Sequence, residues 1–140
     1  MKVREMMTQK VEFINADATI QETAEKMKEL DVGALPVIIS DETVGMITDR
    51  DIVVRAIAHG LDPEKSHVSD AITEGVEFCN EADDIKDVAR RMEKKQIRRV
   101  VVKDDQGNVS GIVSLGDLAR SVNHELSGEV LEEISEPGAA

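Results

Sequence analysis

The sequence contains no tryptophan and no tyrosine, and only two phenylalanines, Phe13 and Phe78, in 140 residues. Single-stranded nucleic acids stack their bases on aromatic faces, so this chain offers little platform for one. Basic residues are also scarce: 17 Lys and Arg stand against 29 Asp and Glu, a formal net charge of −12. That balance argues against general DNA or RNA binding, which needs a basic surface to displace counterions from phosphate. Cys79 is the single cysteine. No internal disulfide can form, and a cytoplasmic location is the expectation. No apolar run approaches the roughly 18 residues of a membrane-spanning helix. The opening Met1-Lys2-Val3-Arg4-Glu5 lacks the apolar stretch of a signal peptide. There is no phosphate-loop motif, no dinucleotide glycine fingerprint and no serine-nucleophile elbow.

What the chain does have is a repeat. Val11-Glu12-Phe13-Ile14-Asn15 returns as Val76-Glu77-Phe78-Cys79-Asn80. The same register pairs Thr8 with Thr73, Ile20 with Ile85, Ala24 with Ala89 and Met27 with Met92. One inserted residue then shifts the register, pairing Gly45 with Gly111, Thr48 with Ser114 and Asp51 with Asp117. A self-similar chain is read as copies of one unit before anything else. A half of roughly 60 residues buries only a marginal core alone, so two halves packed together are expected. With so few aromatics, that core must be Val, Ile, Leu, Met and Ala.

Periodicity gives the elements. A short strand at Val11 to Phe13 precedes a helix started by Asp17-Ala18-Thr19, with Ile20, Ala24, Met27 and Leu30 at helical spacing and Gly33 as its stop. Strands follow at Ala34 to Ile39 and Val44 to Ile47, then a helix from Asp49 to Ala58. The second half repeats the order: strand Val76 to Phe78, helix Asp84 to Lys95, strands Arg99 to Lys103 and Val109 to Val113, helix Gly116 to Asn123. Each half reads β-α-β-β-α, an α+β fold arranged as a pseudo-two-fold module. The divisions are 1–60 for the first motif, 61–66 for a linker with a Gly60 stop and a Pro63 breaker, 67–123 for the second motif, and 124–140 for an acidic tail. Within that tail, Glu129 to Ile134 extends a helix by pattern, and the alternative is a solvated segment.

The doubled motif is Gly-apolar-apolar-Ser/Thr-x-x-Asp: Gly45 to Asp51 and Gly111 to Asp117. Read structurally, the hydroxyl caps a helix and the Asp favours its positive end. Read functionally, free N–H groups and a hydroxyl suit phosphate, while a carboxylate one turn on accepts from vicinal ribose hydroxyls. Spacing alone names no ligand.

These segments resemble a known family. Val32-Gly33-Ala34-Leu35-Pro36-Val37 with Gly45 to Ile52 is similar to the first-domain signature of a CBS (cystathionine-β-synthase-type) domain pair, or Bateman module. Gln96 to Val102 with Gly111 to Asp117 is similar to the second. The likeness runs from about residue 3 to 120 and is strongest to small stand-alone bacterial CBS-pair proteins of the mycobacterial hypoxic-response kind. It implies a cleft between two CBS motifs with two quasi-equivalent sites for adenosine compounds: AMP, ADP or ATP, with S-adenosylmethionine or NAD in some members. No cofactor is required.

Carried over by residue, the resemblance puts Asp117 on the ribose, Ser114 on phosphate or ribose, and Gly116 where backbone approaches the ligand. Arg98 and Arg99 meet phosphate, with Thr8, Lys10, Val11, Val32 and Ile112 completing the second-half site. The first-half site takes Asp51, Thr48 and Ile47, with Arg50 near phosphate and Thr73, Gly75, Val76 and Ile97 around the base. Where the second half has Arg98 and Arg99, the first has Gly33 and Ala34, so phosphate should favour the second-half site. Arg98 and Arg99 belong to a basic stretch in an acidic chain, which focuses anions. Lys94 and Lys95 read as a solvated helix face.

Other candidates are weaker. Cys79 reads as a buried thiol with no base beside it. His59 and His67 flank the linker without zinc-ligand spacing, and no metal is expected. His124 favours a helix C-terminal end. The expected function is a regulatory, non-enzymatic nucleotide sensor, a homodimer through its helices, that signals to an unidentified effector protein, with no nucleic acid or membrane partner. The alternative is a structural or interaction protein with degenerate sites. Chemistry on nucleotides ranks below both, and DNA binding lowest.

Overall fold

The computed structural model describes residues 1–9, 11–121 and 131–135. It forms two compact units, one made of Met1–Val11 with Glu77–Ala140 and the other of Glu12–Val76. In the Glu12–Val76 unit the order is β1 (Ile14–Asn15), α1 (Ile20–Leu30), β2 (Ala34–Ile39), β3 (Glu42–Thr48), α2 (Asp49–Asp51) running into a π-helix (Ile52–Ile57), a 3₁₀ turn (Val68–Asp70) and β4 (Thr73–Glu74). Its sheet is ordered β1-β2-β3-β4, with β1 and β2 parallel and the remaining pairs antiparallel. The other unit holds a 3₁₀ turn (Val3–Glu5), β5 (Phe78–Asn80), α3 (Ile85–Lys95), β6 (Arg99–Lys103), β7 (Val109–Ser114) and α4 (Leu115–Ser121). There β5 pairs parallel with β6, and β6 antiparallel with β7.

The long helices form for the reasons the pattern suggested. The Thr19 hydroxyl accepts the Glu22 amide at 3.1 Å and the Asp84 carboxylate accepts the Lys86 amide at 2.9 Å, capping α1 and α3. The same amide holds the Asp84 carboxyl below its usual pKa. Ile85, Val88, Ala89 and Met92 bury one stripe of α3. In α1 the buried set is Ile20, Thr23 and Met27. Leu30 is exposed because the helix closes beside it. The stop is one of the differences from expectation: Asp31, not Gly33, takes the left-handed turn at φ 55°, and Gln96 does so after α3 at φ 54°. A short polar side chain such as Asp tolerates that region. The expected helix from Asp49 to Ala58 is α-helical only to Asp51 and then π-wound. Ile52, Val53, Val54 and Ile57 are β-branched and crowd an α-turn. The short strands also start later than expected, at Ile14 and Phe78.

The inserted residue lies in the second hairpin. Ser40 and Asp41, at φ 50° and 65°, make a two-residue turn of the type whose twist matches the strands. In the other hairpin Asp104 donates its amide to the Asn108 carbonyl at 2.8 Å, Gly107 donates to the Asp104 carbonyl at 3.0 Å, and Gly107 sits at φ 83°. One more loop residue is thereby accommodated. Both ladders then carry a bulge, at Val44 and at Ser110.

The leading segments are exchanged between repeats. Thr73 pairs with Met46 of β3, and Thr8 pairs with Ile112 of β7. The segment that opens each repeat thus folds against the sheet of the other, and Val3 and Val68 are fully buried members of the two cores. A second repeated device ties each short strand to its helix. The Lys26 ammonium donates to the Phe13 carbonyl and pairs with Glu12 at 3.8 Å. Arg91 donates to the Phe78 carbonyl at 2.6 Å and pairs with Glu77 at 3.4 Å, and Lys95 adds a 2.8 Å bond to Glu77.

Residues 131–134 are helical, and Ile134 is fully buried in the core of α3, β6 and α4. Gln96 donates its side-chain amide to the Glu133 carbonyl at 3.1 Å. A solvated reading therefore fails for Ile134. Asn123, His124, residues 127–130 and residues 136–140, on which other expectations fell, lie outside the described residues.

Two stability measurements test these contacts. The Ser110 hydroxyl is buried with no hydrogen-bond partner among the described residues, where the first repeat has Val44. Ser110→Val should therefore raise the melting temperature, by an amount equivalent to about 1 kcal/mol. The hydrogen bond from Lys95, reinforced by the charges of Lys95 and Arg91, holds the Glu77 carboxyl below its usual value against the opposing effect of burial. Its contribution is present above about pH 4.3, the ordinary glutamate value, and is lost as pH falls through the lower folded value. Urea unfolding of wild type and Glu77→Gln should show a constant stability gap at neutral pH that closes in acid.

Candidate functional site

Glycine fixes the geometry first. A Cβ on Gly45 would lie 2.6 Å from both the Ile72 Cδ1 and the Thr73 carbonyl oxygen. One on Gly111 would lie 2.6 Å from Met7 Sδ and 2.8 Å from the Thr8 carbonyl oxygen. The first residue of the doubled motif is glycine because the exchanged segment crosses directly over it. That crossing gathers Thr73 with Thr48 and Asp51 in one unit, and Thr8 with Ile112, Ser114 and Asp117 in the other.

Where each strand ends, the hydroxyl and carboxylate close a reciprocal cap. Asp51 donates its amide to the Thr48 hydroxyl at 3.1 Å, and Thr48 donates its amide to Asp51 Oδ2 at 2.9 Å. In the second half the Asp117 amide reaches Ser114 Oγ at 3.2 Å, and the Ser114 amide reaches Asp117 Oδ2 at 2.9 Å. The structural reading of the motif is therefore realised in both copies. It leaves Oδ1 of each carboxylate for other partners.

Those partners differ. Thr73 Oγ1 donates to Asp51 Oδ1 at 3.3 Å, and Arg55 Nε lies 3.6 Å from the same oxygen. Arg55 is anchored in turn on the Ile72 carbonyl at 3.2 Å. Asp117 Oδ1 accepts from Arg120 at 2.6 Å, and Arg120 is a mostly exposed arm. Both carboxylates are buried, at 8% exposure for Asp51 and 4% for Asp117. The two arginines do not correspond in the repeat. Sequence reasoning passed over them, although the Asp-to-Arg spacings of four and three on a helix carried the signal.

A further difference lies one step before the cap. Leu115 donates its amide to the Arg98 carbonyl at 2.9 Å, and in the same way Asp49 donates to the Gly33 carbonyl at 2.9 Å. Arg98 is exposed and Arg99, paired with Ser114 in the ladder, is half-buried. On the first-half side, Asp49 Oδ2 lies 3.0 Å from where a Cβ on Gly33 would be. A carboxylate thus lies beside Gly33, the position at which the second half has Arg98.

The remaining predicted residues fall as follows. Ile47 is buried in the core, so it supports the first-half site from beneath. Arg50 and Gly75 are exposed and Val76 is half-buried in the same unit. Val11 is half-buried in the unit of Asp117. Val32 and Ile97 belong to the unit opposite the site each was assigned to. Lys10 lies outside the described residues. A Cβ on Gly116 would meet only Ser114 Oγ, at an ordinary 3.6 Å.

Elsewhere, burial pushes the Cys79 thiol up to about 11, which keeps it protonated and unreactive at neutral pH. His59 Nδ1 lies 3.1 Å from the Val54 carbonyl, and the His67 amide caps on Asp70. Among the described residues no group of three or more His, Cys, Asp or Glu is placed to hold a metal ion. No helix among them is long and apolar enough to cross a membrane.

Among the described residues the tether from Thr73 to Asp51 has no counterpart hydrogen bond from the Thr8 side chain to Asp117. Asp51→Ala should consequently destabilise the protein more than Asp117→Ala, by about 1 kcal/mol in thermal unfolding. Thr73→Val should cost a similar amount in wild type and almost nothing once Asp51 is alanine, since contacting groups are not additive.

Comparison with known proteins agrees with this geometry. The CBS domain family model matches residues 3–57 and 68–124. The CBS domain-containing protein YhcV of Bacillus subtilis is 39% identical over 134 residues, covering 95% of this chain and 94% of that protein. Hypoxic response protein 1 of Mycobacterium tuberculosis is 32% identical over 137 residues, covering 97% and 95%. A CBS domain protein of unknown function from Thermoplasma acidophilum superimposes with a TM-score of 0.83 at 26% identity, over 95% of this chain and 75% of that one. CBSX2, solved in complex with AMP, shares the fold with a TM-score of 0.70 at 23% identity, over 86% and 94%. The chain belongs to the CBS domain family and carries two copies of the domain.

Proposed function

We propose that this CBS pair is a regulatory ligand sensor and not an enzyme, binding an adenosine nucleotide of the AMP, ADP or ATP class at the second-half site. The observation that carries the reading is the Arg98–Leu115 step beside the Ser114–Asp117 cap. It sets an exposed Arg98 and a half-buried Arg99 on the backbone step that adjoins the cap of a buried carboxylate, whose oxygen outside the cap accepts only from the exposed arm of Arg120 among the described residues. Asp117 accepts from the ribose hydroxyls, Arg98 and Arg99 meet phosphate, and Ser114 supports either. Thr8, Val11 and Ile112 lie around the base. Gly116 supports the reading from another direction. Gly111 is glycine because protein backbone crosses it, whereas among the described residues only Ser114 Oγ, at an ordinary 3.6 Å, comes near a Cβ on Gly116, so its missing side chain leaves room for a ligand. The AMP held by CBSX2 fits the same ligand class.

The output of such a sensor is a shift in conformation or assembly read by a partner protein. Val53, Val54 and Ile57 are exposed along the π-helix and support self-association as a homodimer. A lone, buried, protonated cysteine fits a reducing cytoplasm.

The test is calorimetric titration of AMP, ADP, ATP, S-adenosylmethionine and NAD into wild type and Asp117→Ala. At least one phosphorylated nucleotide should bind wild type and lose that binding in the variant. At a concentration of about 100 times its dissociation constant it should add roughly 2.7 kcal/mol of stability, seen as a raised melting temperature. Silence from all five ligands would instead identify an interaction protein with degenerate sites.

A further inference from the structure

We infer that the two half-sites sort adenosine compounds by charge: the first-half site takes a nucleoside without phosphate, and Asp49 is the residue that sets this specificity. The inference rests on the nucleotide reading above and adds a ligand class for the second site. The two caps superimpose in the repeat, from the hydroxyl and the carboxylate to the amide that bonds the carbonyl before β2 or β6. Their electrostatics do not. At the matching positions the second half has Arg98, Leu115 and Gly116, and the first has Gly33, Asp49 and Arg50, a net difference of one unit charge, with Asp49 placing a negative charge where the second half has none.

Asp49 is held where that difference acts. Its amide is fixed on the Gly33 carbonyl at 2.9 Å. Its Oδ1 accepts the Arg50 amide at 2.8 Å. Its Oδ2 fills the space that a side chain at position 33 would enter, 3.0 Å from the Cβ position. A side chain at position 33 would displace this carboxylate by a few tenths of an ångström. A phosphate brought to this place meets a carboxylate in place of a guanidinium. Two like charges about 4 Å apart repel by about 1 kcal/mol in bulk water, the setting that fits the exposed Asp49. The sugar-binding part of the site is intact, because the Asp51 carboxylate and Thr48 hydroxyl keep the arrangement of their second-half counterparts. The site therefore retains the group that recognises a ribose and repels the group that makes a nucleoside a nucleotide.

Titration of adenosine and AMP into wild type, Asp117→Ala and the double variant Asp117→Ala/Asp49→Asn separates the possibilities. Asp117→Ala silences the second-half site and should still bind adenosine, about fivefold more tightly than AMP. Asp49→Asn keeps the shape and removes the charge, so the double variant should lose most of that preference. Asp49→Leu, which copies the second half, should act in the same direction and guards against a local effect of the asparagine. The inference is overturned if Asp117→Ala binds AMP as tightly as adenosine, binds neither, or keeps its preference when Asp49 is neutralised. Wild type binding neither compound would overturn the nucleotide reading itself.

Discussion

In each unit a backbone segment borrowed from the other repeat crosses a strand at a glycine, and the rest of the site follows from that crossing. Gly45 and Gly111 admit the Ile72–Thr73 and Met7–Thr8 segments to distances that any Cβ would forbid. Because the segments can come that close, Val68 and Val3 reach the cores, and Thr73 and Thr8 end beside the reciprocal caps. Exchange of the leading segments also means that neither repeat closes its core with its own residues. A half of this size buries too little apolar surface to be secure alone, and interchange makes the folding of each half depend on the other.

The capping atoms serve two purposes. Asp51 and Asp117 spend one carboxylate oxygen on the amide that opens the following helix, and this fixes the other oxygen in place. A carboxylate positioned by its own backbone loses little freedom when a ligand arrives, which is the physical basis of preorganised binding. The same arrangement explains how the repeats could diverge without losing the fold. The cap, the glycine crossing and the helix-to-strand ties at Lys26 and Arg91 are common to both. The groups around them are not: Thr73 and Arg55 occupy Asp51, Arg120 occupies Asp117, and Asp49 lies beside Gly33, the repeat counterpart of Arg98.

Much of this was legible before any coordinates. The helical stripe of Ile85, Val88, Ala89 and Met92 and the strands Ala34–Ile39 and Arg99–Lys103 follow from local periodicity, which packing did not override. The cap residues were legible because a hydroxyl three residues before an Asp is a local signal. Gly33 was misread because a glycine near a helix end is usually its stop, whereas here it lies beside Asp49. The π-winding of Ile52–Ile57 escaped because hydrophobic period does not separate 3.6 residues per turn from a slightly wider turn. The anchoring of Ile134 escaped because its partners Val88 and Met92 lie far away in sequence.

The sequence by itself determined the two-fold repetition, the family, the α+β class and the identity of the capping pairs. All of these are encoded in residues a few positions apart or in one self-comparison. Only the tertiary structure decided that the leading segments change places, that Thr73 bonds the Asp51 carboxylate, and that Asp49 fills the space beside Gly33. Those outcomes depend on which segments pass within 3 to 4 Å of one another. Residues that meet only after the chain has closed on itself leave no periodic trace in the order of the amino acids.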